Sequence, residues 1–511
     1  MRFLILAALL LNIENVFAAT CEGLATLVLP DTEIASANLV GAGDFVVPGG
    51  RGPGRGEDAA QFRNLPAFCR VQATLRPSKD SDIRIEIWLP VAGWNGNFQA
   101  ATSGGAGAAV QGEINFGGLA AVLRAGYAAG ATDLGHQGAT LDFALAHPER
   151  LTDFGYRAFH EMTVKAKAVT AELYGKNPGH AYLNACAAGA RTALMEAQRF
   201  PADYDGIVAG APANDWINLQ TWSLWVYTAT HQDEASYIPP ADYTLLHKAA
   251  VEACDANDGV KDGVIEDPTR CRFDPQVLAC KGSQSTGSLT APQIEAARKI
   301  YSPAINPRTK AQIFPGLKPG SELGWGGLAS GDQAPLYVRE TFKYVVFADP
   351  GWDYKKRPVD FDKDLAHATA MDHGTITASN PNLKDFFARG GKLIQYHGWS
   401  DPLIAPGHSV DYFNQVTAAL GGASKVQDSL RLYMVPGMNH CRGGEGTDAF
   451  DMQSVIERWV EKGQAPGPII ASRVVDGSVQ RTRPLCPYPQ VAKYDGSGST
   501  DAAASFSCRL P

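Results

Sequence analysis

The sequence predicts an α/β fold: a mostly parallel sheet with helices on both faces, interrupted by one large insertion. Three observations carry this. Short apolar runs alternate with helical segments from Asn97 to Ala213, and again from Gly391 to Val475. Between Asn214 and about Asn380 the rhythm breaks into aromatic-rich helical pieces (Trp216, Trp222, Trp225), an Asp-rich loop and many Gly and Pro turns. Within the first rhythmic part, the stretch Gly179 to Arg199 takes a β-prone run straight into small residues and a helix.

In chain order, residues 1–18 have one positive charge, a short apolar run and a small-residue exit at Ala18 and Ala19, the pattern of a secretory signal. Asp31 to Gly56 is rich in Gly, Pro and Val and is expected to form edge hairpins or loops. Asp82 to Pro90 alternates apolar and polar residues, as a half-exposed strand does. Gly126 to Asp133 reads as a buried strand, Tyr156 to Tyr174 as an amphipathic helix, and Asp205 to Pro212 as an apolar strand ending in small residues. After the insertion come a strand ending at Trp399, a helix from Ser409 and a strand over Leu430 to Pro436. A final helix over Ala449 to Glu461 and a last strand over Ile469 to Val475 follow. The expected organisation is a signal (1–18), a first core part (19–213), an insertion (214–384) over the sheet's carboxyl edge, and a second core part (385–511).

Composition narrows the function classes. A net charge of −8 offers no basic face, so nucleic acid is not an expected partner. No later segment is long and apolar enough to span a bilayer, so a secreted or periplasmic protein is expected. Nine cysteines suit an oxidising compartment, and their odd number leaves one thiol over. None forms a CxxC pair, which argues against cysteine-ligated zinc and thioredoxin-like chemistry.

The Gly179 to Arg199 stretch has the layout of a nucleophile elbow, a sharp turn that lifts one side chain above the sheet edge and needs small neighbours. Ala185, Ala187, Ala188, Gly189 and Ala190 meet that need. The tip is Ala187, whose methyl group cannot attack a carbonyl. Asp401 follows the strand ending at Trp399, and His440 follows the strand ending near Val435, so both stand on the same edge as the elbow. Elbow, acid, histidine is the chain order of the α/β-hydrolase triad. Asp401 alone could equally cap the turn Ser400 to Pro402. Cys186 adjoins the tip and Cys441 adjoins His440, so if elbow and histidine meet, a disulfide could tether them.

With these residues in place, the chain resembles the tannase and feruloyl esterase family, which carries a Cys-Ser, Asp, His-Cys arrangement and Gly-Cys-Ser-x-Gly-Gly at its elbow. The likeness covers nearly all of the mature chain and includes residues 126–128, 132–138, 153–157, 160–165, 194–199, 205–212 and 396–399. It implies an α/β-hydrolase core with a lid, and serine hydrolysis of esters of aromatic acids through an acyl-enzyme. Ala185, Ala187 and Ala190 stand where the family has Gly, Ser and Gly; three changes together point to natural divergence rather than to a trapping substitution. By resemblance the oxyanion hole would be the amides of Ala188 and of Gly104 or Gly105.

The acidic loop Cys254 to Asp267 is by default a solvated turn, and Val260 stands where an EF-hand needs glycine. It resembles the family's lid calcium loop, with ligands carried over to the side chains of Asp255, Asp258 and Asp262 and the carbonyls of Val260 and Val264. The resemblance further implies disulfides Cys186–Cys441, Cys254–Cys271, Cys21–Cys69 and Cys486–Cys508, with Cys280 free because Gly287 and Ser288 stand where its family partner would be. Structural Ca2+ and no organic cofactor are expected. Three functions stay open: an ester hydrolase impaired or altered at Ala187, a pseudoenzyme that binds an aromatic ligand, or a lyase or cyclase using Asp401 and His440 as acid and base.

Overall fold

A computed structural model describes residues 18–48, 61–102, 112–280 and 287–511. The expected signal, apart from Ala18, and the expected oxyanion residues Gly104 and Gly105 lie outside these residues. Nine strands form one sheet in the order β1-β2-β3-β5-β4-β6-β7-β10-β11. Its antiparallel flank is β1 (Thr32–Val40), β2 (Phe68–Leu75) and β3 (Ile83–Pro90), which joins β5 (Ala128–Thr132) antiparallel. From β5 onward all pairings are parallel, through β4 (Phe98–Ala100), β6 (Ala181–Cys186), β7 (Gly206–Gly210), β10 (Lys392–Gly398) and β11 (Leu430–Val435).

The central strands are short and rich in Gly and Ala because helices press on both faces. A β-carbon at Gly130 of β5 would lie 2.7 Å from Met162 Sδ, on the helix Ala158–Tyr174. One at Gly206 of β7 would lie 2.8 Å from Ile456 Cγ1, on the helix Met452–Lys462. We number the longer helices α1 (Phe116–Arg124), α2 (Ala158–Tyr174), α3 (Ala188–Arg199), α4 (Trp216–Thr230), α5 (Pro240–Cys254), α6 (Ala291–Tyr301), α7 (Gly407–Ala419) and α8 (Met452–Lys462). Two large apolar cores result among the described residues, with two small satellite clusters beside them. One large core contains Met162 of α2, Leu194 of α3 and much of the insertion; the other contains Leu119 of α1 and Trp459 of α8.

Strand β3 differs from the expected half-exposed strand: apart from Arg84 it is buried throughout. Its polar residue Glu86 faces inward because donors wait there. Arg70 Nε donates to Glu86 Oε2 at 2.8 Å, Gln72 Nε2 to Oε1 at 2.9 Å, and Trp88 Nε1 to Oε2 at 3.0 Å. Alternation in the sequence marked the pleat, while the partner on β2 decided the burial.

Between β7 and β10 the chain leaves the main sheet. Helix α4 is apolar nearly all round and buried accordingly, with Trp222 fully enclosed. It is flanked by α6 and a small hairpin of β8 (Ala304–Ile305) and β9 (Gln312–Phe314), and α5 follows it in the insertion. The expected last strand, β12 (Ile469–Val475), pairs with β13 (Ser478–Leu485) outside the main sheet, and β14 (Val491–Tyr494) pairs with β15 (Phe506–Arg509). The sequence reading ended at β12 because the polar and Pro-bearing segments beyond it lack a clear apolar alternation. Among the described residues no helix is long and apolar enough to cross a membrane.

Candidate active site

The elbow forms where the small residues predict it. Ala187, between β6 and α3, has φ 56 and ψ −121, a conformation that costs a residue with a β-carbon about 1–3 kcal/mol. Backbone bonds on both sides hold it: Ala187 N–H donates to Gly210 O at 3.0 Å, and its carbonyl accepts from Arg191 N and Ala213 N, each at 3.1 Å. Ala185, Ala187, Ala188 and Ala190 are all buried. Ala188 opens α3, so its amide has no acceptor within the helix and lies at the positive end of the helix dipole.

Asp401 lies in the turn after β10 and is fully buried. Its Oδ1 accepts from Leu403 N at 2.8 Å and Ile404 N at 3.0 Å, so it does cap this turn. Its Oδ2 accepts from His440 Nδ1 at 2.7 Å. Turn capping and histidine binding, rival readings in the sequence, are performed by the two oxygens of one carboxylate. Gly398 makes the approach possible: a β-carbon there would lie 2.1 Å from Met438 O, in the loop that carries His440.

Burial alone would raise the Asp401 carboxyl, but the His440 charge and the bonds from His397 and His440 outweigh it and hold it well below the usual range. Burial lowers the His440 imidazole, and the Asp401 carboxylate more than reverses this, leaving it raised. With Nδ1 donating to the carboxylate, the lone pair of neutral His440 is on Nε2. That atom is buried and has no hydrogen-bond partner among the described residues.

Cys186 and Cys441 are bonded across a sequence separation of 255, with Cα atoms 6.4 Å apart. Their sulfurs lie within 4.8 Å of a His440 ring nitrogen, so the elbow and the histidine loop meet at this bond. Cys21–Cys69, Cys254–Cys271 and Cys486–Cys508 are also bonded, and Cys280 is free.

The sequence reading assigned no role to His397. Its Nε2 lies 3.0 Å from Asp401 Oδ2 and 3.1 Å from Ile404 O, and its Nδ1 lies 2.7 Å from Ser409 Oγ on α7. Two acceptors at Nε2 require the proton there. The motif Tyr396 to Trp399 contained this histidine, but nothing local showed that it turns toward Asp401. The insertion closes over the same edge. A β-carbon at Gly324 would lie 2.3 Å from Pro402 Cγ, and burial together with the Asp401 charge pushes up the Tyr337 phenol.

In the acidic loop, Asp255 accepts from Asp262 N at 3.2 Å and Gly263 N at 3.1 Å, Asp258 from Val260 N at 2.9 Å, and Asp262 from Val264 N at 3.2 Å. Asp262 Oδ2 also pairs with Arg483 and, at 3.2 Å, with Arg481, both on β13. Glu266, half-buried beside them, is pushed up to about 8 by desolvation, with Asp258 and Asp262 adding to the rise. The arginines and Glu266 were not foreseen, because they depend on a hairpin more than 200 residues further along the chain.

Comparison with known proteins agrees with this geometry. The chain is 36% identical to an uncharacterized esterase of Xanthomonas campestris pv. campestris, covering 96% of this chain and 91% of that one. The crystal structure of feruloyl esterase B from Aspergillus oryzae superposes with a TM-score of 0.87 at 28% identity, over 96% of this chain and 99% of the other. A tannin acyl hydrolase from Aspergillus niger shares the fold, with a TM-score of 0.77 at 22% identity over 95% and 93% of the two chains. Residues 69–509 match the family described as tannase and feruloyl esterase, and the chain belongs to that family.

Proposed function

We propose that this chain is an exported hydrolase of esters of aromatic acids whose acyl-enzyme route is lost with the nucleophile and whose remaining turnover uses water activated by His440. The observation that carries this reading is the assembled Asp401–His440 pair, at 2.7 Å, with a buried Nε2 that has no partner among the described residues, beside an elbow that keeps its strained turn. A binder with no chemistry would need neither the pair nor the turn. The aromatic-acid preference rests on the family and on the feruloyl esterase named above. Export rests on the four disulfides and the N-terminal signal pattern.

In this reading His440 Nε2 takes a proton from water while the water oxygen adds to the ester carbonyl. The Ala188 amide faces the developing oxyanion. The carbon–oxygen bond to the alcohol then breaks, and His440 returns the proton to the departing oxygen, leaving the acid and the alcohol. Asp401 stabilises the transient imidazolium and fixes its orientation. Removal of a triad nucleophile costs on the order of a millionfold in turnover, so the residual rate would be slow. The test is turnover on a panel of phenolic and aryl esters by the unchanged chain and by His440→Ala. Slow hydrolysis lost in the variant supports the reading. Equal rates in the two remove His440 from the chemistry, and ordinary enzymatic rates dependent on His440 would require another nucleophile.

The acidic loop is read as a structural Ca2+ site held by Asp255, Asp258 and Asp262 with the carbonyls of Val260 and Val264. The oxygen-only donor set suits the chemistry of a hard cation, and the charges of Asp262 and Asp255 beside the half-buried Asp258 are a repulsion that a cation would relieve. One oxygen from each of the three aspartates does not lie within 4.8 Å of the other two, so the loop would have to draw in around the ion. The ion would supply cross-linking of the loop and no step of the reaction.

A further inference from the structure

At the far end of the elbow helix lies a cluster that the ester chemistry does not use. Glu196, in the last turns of α3, is fully buried, and among the described residues neither of its carboxylate oxygens accepts from an N–H or hydroxyl donor; it lies against another carboxyl, that of Asp203. His160 of α2 and Asp203, in the turn between α3 and β7, converge on it: one donor atom from each of the three side chains lies within 4.8 Å of the other two. His160 Nδ1 is 2.6 Å from Asp203 Oδ2, and its ring stacks on Phe200 with centroids 3.7 Å apart, which fixes its plane.

The donors nearby are engaged elsewhere. Lys167 donates to the Asp203 carbonyl oxygen rather than to either carboxylate, and the hydroxyls of Thr163 and Tyr204 bond each other at 2.6 Å. A buried carboxylate without a donor is costly unless it keeps a proton or faces a cation. Three donors of two kinds, brought from two helices and a turn to one point, are more than a proton shared between two carboxyls requires.

We propose that His160, Glu196 and Asp203 form a structural binding site for Zn2+ or a similar divalent transition-metal ion. One imidazole nitrogen and two carboxylates suit such ions, whereas Ca2+ and Mg2+ favour oxygen alone. Water completes the coordination from the side where the His160 side chain is 25% exposed, which is also the route of entry. The ion joins α2, α3 and the turn into β7. Because α3 begins at Ala188, the site pins the elbow helix about 12 Å from the catalytic end.

The test uses the full chain, stripped with a strong chelator and returned to excess Ca2+, then titrated with Zn2+ by calorimetry and with Co2+ by visible absorption. The expected result is one Zn2+ per chain at micromolar affinity or tighter, weakened at least tenfold by His160→Gln and by Glu196→Gln but not by Asp258→Asn or His440→Ala. Co2+ should give a visible band that both cluster variants lose. His160 is partly exposed, so His160→Gln decides the matter if Glu196→Gln fails to fold. No Zn2+ uptake, or equal uptake by the unchanged chain and His160→Gln, overturns the proposal and leaves Glu196 and Asp203 sharing a proton. Uptake lost only on His440→Ala would place the ion elsewhere and overturn it as well.

Discussion

His397 Nε2 lies 3.0 Å from Asp401 Oδ2, the same oxygen that accepts from His440 Nδ1 at 2.7 Å. The Asp401 carboxylate is therefore clamped by four donors, two from backbone amides and two from histidines, and in the proposed reaction His397 would act only through Asp401. In a chain whose nucleophile has been restored, His397→Gln should lower kcat roughly tenfold and leave KM within about twofold, since it loosens orientation without touching substrate. An unchanged kcat would mean that the backbone amides alone position Asp401.

Restoring the nucleophile tests the elbow itself. Ala187→Ser should recover little turnover, and Ala185→Gly, Ala187→Ser, Ala190→Gly together should recover more. The β-carbons of Ala185 and Ala190 are enclosed beside the tip, and a shift of about an ångström costs roughly a hundredfold. Initial rates on aryl esters rank the unchanged chain, the single variant and the triple variant. A single variant that matches the triple one would show that these β-carbons are harmless.

The same triple variant has a predictable pH profile. His440 accepts a proton only when neutral, and Asp401 holds its imidazole above the ordinary value of 6.5. Turnover should rise as pH increases through and beyond 6.5, measured as kcat/KM with a substrate stable to mild alkali. A rising limb centred below 6.5 would contradict the Asp401–His440 coupling.

A second histidine links the insertion to the loop that carries His440. His247 of α5 has Nδ1 3.0 Å from the buried Glu322 and Nε2 2.6 Å from Glu445. Glu322 also accepts from the Tyr301 hydroxyl and Gly320 N, and the Arg473 guanidinium donates to the Glu445 carbonyl. Burial lowers the His247 imidazole, but the two carboxylates push it up to about 9. The stability it gives is complete below its unfolded value of 6.5 and is lost as pH rises through about 9. Glu445 is held down by His247, so its share is present above the ordinary 4.5 and is lost as pH falls below that value. Glu445→Gln should thus cost stability most between pH 5 and 6.5 and least near pH 10, by an amount on the order of 1 kcal/mol that is read as a drop in Tm, since solvent screens an acid that is 45% exposed. A pH-independent difference in melting would rule out the ion pair as its cause.

Calcium removal should act on the loop around Asp258. Because the ion would bind the folded state only, a calcium chelator should lower Tm and added Ca2+ should restore it, whereas Asp258→Asn should melt at the lower temperature with or without chelator. Melting of the unchanged chain that ignores the chelator would leave the loop an acidic turn, cross-linked by Arg481 and Arg483 alone.

The sequence alone determined what depends on neighbours in the chain. Apolar period located β5, β6, β7, β10 and α3, small residues located the elbow at Ala187, and chain order set Asp401 and His440 on the elbow's edge. The adjacency of Cys186 and Cys441 to that edge was legible for the same reason. Only the tertiary structure decided which distant groups meet. His247 reaches Glu445 across 198 residues and Arg483 reaches Asp262 across 221, while His397 turns toward Asp401 because β10 ends beside α7. Glu86 and Glu196 make the point most plainly: each is a carboxylate in an ordinary local pattern. One is buried against Arg70 of a neighbouring strand, and the other against His160 and Asp203 brought in by a helix and a turn. Pleat and helical turn are set by local sterics and leave their period in the chain, whereas the partner of a buried charge is chosen by strand register and helix packing, which leave no such local mark.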